Sequence, residues 1–174
     1  MATLMERLGF GGREMTSAGH NKNFVLQVVQ PSLVGLTDGS MSTLAPVFAV
    51  AYATKDPRVA FLIGLAAAVG AGISMAFSEG LSDDGSMTGR GNPMLRGGIT
   101  GFATFLGGIF HTLPFLIPHV TIALYVAFGV VGIELLAISF IRYRYFSMSF
   151  LVSAMQVILG GALVFASGVL IGNA

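Results

Sequence analysis

Five long apolar runs, separated by short polar turns, constrain this chain more than any single residue does. They fall at about 26–53, 59–84, 95–115, 120–141 and 146–172, and each is near the ~20 residues that a helix needs to cross a bilayer. The first ends at TKDPR and the second at the turn-rich SDDGSMTGRGNP. Pro114 and Pro118 close the third, and RYRY stops the fourth. Only 10% of the 174 residues are charged and the mean hydropathy is +0.81, where soluble domains carry about a quarter charged residues. The expected fold is therefore all-α: a polytopic membrane protein of five transmembrane helices. Residues 1–23 form a short polar segment without the apolar centre of a signal peptide, and 24–174 form one five-span domain.

Charge distribution orients the expected bundle. Arg7, Arg13, Lys22, Arg90, Arg96, Arg142 and Arg144 lie in segments that alternate crossing places on one side, against Lys55 and Arg58 on the other. The positive-inside rule makes the first side cytoplasmic, so the N-terminus is expected inside and the C-terminus outside. A net charge of +1 with no basic patch argues against nucleic acid as a partner, and the absence of cysteine excludes thiolate metal sites and cysteine nucleophiles. No hydrolase, zinc-protease or phosphate-loop signature is present, so no enzymatic activity and no resident cofactor are expected. Five spans leave no room for an inverted repeat of equal halves, so two-fold symmetry would need a second copy. Small residues recur every four positions at Gly35 and Gly39 and at Gly64, Ala68, Gly72 and Ala76, and glycines crowd the last span. Such rows allow close helix approach, between copies or only within one chain.

The informative residues are the carboxylates in this apolar setting: Asp38, Glu79 and Glu134. One acid at a helix centre costs about 2.5–3.5 kcal/mol on insertion scales, so each needs a partner or a function. With Arg96 counted among the flanking residues, no Lys or Arg remains within a span to neutralise them. Protonation, a cation or a water-filled path is left. Asp38, amid Gly39, Ser40, Met41, Ser42 and Thr43, is either a cation or proton site or a protonated acid bonded to a neighbouring hydroxyl. Met75, Glu79 and Asp83 share one helix face at steps of about 6 Å. A thioether beside a carboxylate suits first-row divalent ions, whereas core filling is the ordinary role of methionine. Asp83 and Asp84 either gather cations at the mouth of the span or end a solvated helix. Glu134 is either a proton site or a group bonded to a neighbouring helix. His111 and His119 are expected at the outer interface, their spacing being unsuited to a metal.

GLTDGSMSTLAP followed by GISMAFSEGLS resembles the paired signature of the vacuolar iron transporter family, through Gly35, Leu36, Asp38 and Gly39 and then Ser74, Met75, Ala76 and Glu79. The stretch LRGGITGFATFLGGIFHTLPFLI is similar to the membrane domain of bacterial membrane-bound ferritin-like iron exporters. The resemblance implies a five-span homodimer that exports Fe2+, and Mn2+ in some members, from the cytoplasm in exchange for protons, from a bacterial inner membrane. It implies that Asp38, Met75 and Glu79 line the path. Asp83 is an added metal candidate, and Asp38, Glu79 and Glu134 are the candidates for proton coupling. The connection SDDGSMTGRGNP lacks the glutamate-rich helical insertion of plant members, and residues 1–23, with a lone His20, lack a ferritin-like di-iron domain. A separate iron-storage or delivery protein is therefore an expected partner, beside the metal, the bilayer and a second copy.

Overall fold

The computed structural model describes residues 22–174 apart from 83, 87 and 147. Asp83 and His20 thus lie outside the described residues. All regular structure among those described is helical: α1 (Gln30–Thr54), led in by a π-helical turn at Val25–Val29, then α2 (Pro57–Ser82), α3 (Pro93–Phe110), a 3-10 turn at Leu113–Leu116, α4 (Val120–Tyr145) and α5 (Phe150–Gly172). Local chemistry sets the ends. Lys55 stops α1 in a left-handed conformation, with φ of 55°. The Asp56 carboxylate accepts the Arg58 and Val59 amides at 2.9 and 3.4 Å to start α2. Asn92 accepts the Met94 and Leu95 amides at 2.8 and 3.2 Å, ahead of Pro93 at the first turn of α3.

Four helical segments, Lys22–Thr54, Pro57–Ser82, Val120–Tyr145 and Phe150–Gly172, are long and apolar enough to cross a membrane. Leu62, Ile73, Phe77, Leu81, Ile133 and Leu151 are more than half exposed on them, as on the lipid-facing surface of a multi-pass membrane protein. The expected third span differs. A helix forms there, but it is only 18 residues long and is not among the four. Its end at His111 meets Thr43, which lies 11 residues before the last residue of α1, so α3 stops about 16 Å short of that end of the bundle. The rest of the way is covered by the turn-rich stretch 111–119. Its backbone is internally bonded, Phe115 to Thr112 at 3.1 Å and Ile117 to Pro114 at 3.0 Å. Phe115 packs edge-on to Phe48 in an aromatic cluster with Phe128 and Phe165. Irregular backbone is tolerated at membrane depth when protein covers it in this way.

Small residues hold α3 at the centre. A Cβ on Gly39 would meet the Thr104 carbonyl, one on Gly107 the Leu36 carbonyl, and one on Gly101 the Gly72 carbonyl. Gly64, Ala68 and Gly72 are buried within the chain, facing Thr112, Gly108 and Gly101. Gly168 and Gly172 of α5 rest on Ala45 and Ala49 of α1. The small-residue rows are thus used inside one chain, the plainer of the two readings the sequence allowed. Gly91 against Gln27 places the 83–92 connection beside the start of α1. Arg142, near the end of α4, shares a cavity with Leu33 of α1, so Arg90, Arg96 and Arg142 gather at one end of the bundle.

Candidate functional site

Asp38 and Met75, 37 positions apart in sequence, open onto the same cavity. Leu33, Val34, Thr37 and Met41 of α1, Arg142 of α4 and Val157 of α5 complete its walls, and its volume is about 430 Å³. Asp38 and Met75 are both half-buried. The α1 helix delivers Asp38 and Met41 together because residues three apart share a face. Two thioethers and one carboxylate thus face one space. Arg142 contributes the positive charge at its rim, held by Gln156 Oε1 at 2.8 Å and Met148 Sδ at 3.4 Å.

Glu79 is elsewhere. Its Oε1 accepts Arg90 Nη2 at 2.6 Å and Arg96 Nε at 3.0 Å, with Arg96 fully buried and Glu79 nearly so. The expectation that no basic side chain lies within a span to neutralise the acids is corrected here. Asn92 and Pro93 start α3 early, so Arg96 enters the bundle as its fourth residue, where Gly80 of α2 lies against the Pro93 carbonyl.

 Gly97, next along α3, abuts the Ala76 carbonyl and Gly80 there, which brings the two helices close enough for the ion pair. The stripe Met75, Glu79, Asp83 is therefore divided: Met75 faces the Asp38 cavity, Glu79 faces the arginines, and Asp83 lies outside the described residues. Asp84 accepts the Ser86 amide and hydroxyl at 2.9 and 2.8 Å in the following turn.

Glu134 also has a partner. Its Oε2 lies 3.0 Å from His111 Nδ1, and His111 Nε2 lies 2.9 Å from Thr43 Oγ1, which donates to the Gly39 carbonyl at 2.8 Å. His111 is fully buried, not interfacial, because α3 ends inside the bundle. His119 stays near the surface, at the start of α4. No protein-family model, curated protein or solved structure matches this chain. Among the described residues, no three His, Cys, Asp or Glu side chains converge as a ready metal cluster.

Sequence reasoning missed Arg96 as a bundle residue and His111 as a buried one. The signal for Arg96 was present in Asn92-Pro93, a cap and first-turn pair that starts the helix before it. For His111 it was the shortness of the helical stretch before Pro114, which leaves that end of α3 inside the bundle.

Proposed function

We propose that this chain is a proton-coupled transporter of divalent cations, with Fe2+ or Mn2+ as cargo. The observation that carries the reading is the shared cavity of Asp38, Met41 and Met75. A carboxylate supplies charge to a divalent ion, and the two thioethers favour first-row transition metals over Mg2+ or Ca2+, which prefer oxygen. The likeness of GLTDGSMSTLAP and GISMAFSEGLS to the vacuolar iron transporter signature points the same way.

The finer points belong to the same proposal. The third crossing is made by α3 together with the covered stretch 111–119, giving five passages, and the arginine-bearing end faces the cytoplasm. One carboxylate and two thioethers leave a metal's coordination incomplete, so a second copy or retained water supplies the remainder. Glu79 enters the path only by exchanging a guanidinium for the ion. It therefore serves as a gate at the arginine end, with Asp38 and Met75 as the site beyond it.

The test is uptake of Mn2+ and Fe2+ into vesicles reconstituted with the purified chain, beside Asp38→Ala. Metal entry in the wild type that is lost in folded Asp38→Ala supports the reading. Equal entry in both, or in neither above protein-free vesicles, overturns it.

A further inference from the structure

The buried row Thr43, His111, Glu134 allows its protons to be counted. The Thr43 hydroxyl has a single hydrogen and gives it to the Gly39 carbonyl at 2.8 Å. At the 2.9 Å contact with His111 Nε2 the hydroxyl must therefore accept, and the imidazole must donate. Nε2 keeps its hydrogen. On the other side of the ring, Nδ1 lies 3.0 Å from Glu134 Oε2. A bare Nδ1 against a carboxylate would set two lone pairs against each other, so a hydrogen lies between them. Whether ring or carboxyl bears it, His111 and Glu134 together hold one proton more than a neutral histidine beside a carboxylate, and their net charge is zero.

The surroundings give that proton consequence. The packed helices bring Asp38 and Tyr52 from α1, Arg58 and Glu79 from α2, Arg96 from α3, and Tyr125, Arg142, Tyr143, Arg144 and Tyr145 from α4, with no titratable group from α5. None of these bonds to His111 or Glu134. Glu134 Oε1 is buried with no hydrogen-bond partner. Removing the bridging proton would leave a buried carboxylate with one oxygen unbonded and the other facing a lone pair, a state that the row tolerates only if it opens.

We propose that His111 and Glu134 are a proton-carrying pair, binding and releasing one proton per chain between Nδ1 and Oε2. In the released state the pair is a neutral His111 with hydrogen on Nε2 and a Glu134 carboxylate; one proton from water restores the neutral pair. Thr43 is a positioning residue that fixes Nε2 as donor. It stands five residues after Asp38 on α1, so a movement of α1 that reshapes the Asp38 cavity also alters the tie to His111. What the proton is exchanged against rests on the transport reading above; its binding to the pair does not.

The experiment is pH-difference infrared spectroscopy of the full chain in lipid, with Mn2+ flux measured on the same preparations. Acidification should produce a Glu134 band: a carboxyl carbonyl where the acid bears the proton, or a shifted carboxylate paired with imidazolium bands where the ring does. That band should be absent in Glu134→Gln, displaced in His111→Gln and Thr43→Val, and retained in Asp38→Asn. A difference spectrum identical in wild type and folded Glu134→Gln overturns the pair, as does a band that His111→Gln leaves in place. Glu134→Asp keeps an acid and should retain a displaced band, which separates titration from mere packing. In flux, Glu134→Gln should lose dependence on an imposed pH gradient while still binding Mn2+ at equilibrium. A wild type that shows the band but moves no metal breaks the transport reading and leaves the proton pair standing.

Discussion

Glu79 and Glu134 are both glutamates on apolar helices, and the bundle neutralises them in opposite ways. Glu79 meets Arg90 and Arg96, whose guanidinium groups remain charged at any physiological pH. Glu134 meets His111, whose charge is set by a proton. The first arrangement fixes a charge and ties α2 to α3. The second leaves charge open to exchange. Burial alone therefore says little about what a membrane carboxylate does; the partner decides, and the depth at which α3 starts and stops supplies both partners. Asp38 is the third case: it faces a cavity whose one basic side chain, Arg142, is held by Gln156 and Met148.

Glu79 is held by two arginines and Glu134 by a histidine, whereas Asp38 lines the cavity that Met41 and Met75 share.

The comparison can be broken most severely at Arg96. Arg96→Ala removes a fully buried guanidinium from Glu79 and should cost about 3–5 kcal/mol, read as a large drop in the melting temperature of the protein in detergent. A loss near that of a surface substitution would show that Arg90 alone suffices. Joining Glu79→Met to Arg96→Met should recover part of the loss, because the buried acid no longer needs neutralising, while Arg90 gives up its 2.6 Å contact with Glu79. If the double variant is as unstable as Arg96→Ala, the pair contributes more than charge balance. Glu134→Gln keeps shape and one hydrogen bond and should cost only about 1 kcal/mol, so thermal unfolding should separate it clearly from Arg96→Ala. Met75→Leu, on the face of α2 turned from the arginines, should change stability by less than about 1.5 kcal/mol. Its effect should appear instead as reduced preference for Fe2+ and Mn2+ over Mg2+ in competition flux assays, and unchanged preference would make Met75 a packing residue.

The helices themselves were legible, because apolar runs bounded by Lys55-Asp56, Gly91-Asn92 and Ser149 leave few other ways to satisfy a backbone in lipid. Asp38 and Met75 were each legible as candidates for a different reason: each is a group with chemistry in a run otherwise made for packing, and only the family resemblance implied that they share one path. The division of the Met75–Glu79 stripe was not. Residues one turn apart share a face only within the tolerance of a helix surface, and α3 packs so closely that this tolerance separates a cavity from an ion pair. His111 was illegible because its burial depends on where α3 ends relative to α1, a tertiary relation that hydropathy along one chain does not carry.

The most direct measurement follows Mn2+ entry and H+ exit together, in vesicles holding the purified chain and under an imposed pH gradient, beside Asp38→Ala. The account predicts opposed movements that rise and fall together in the wild type and vanish together in the variant. Metal entry with no accompanying proton movement, or coupled movement that survives in Asp38→Ala, would contradict it.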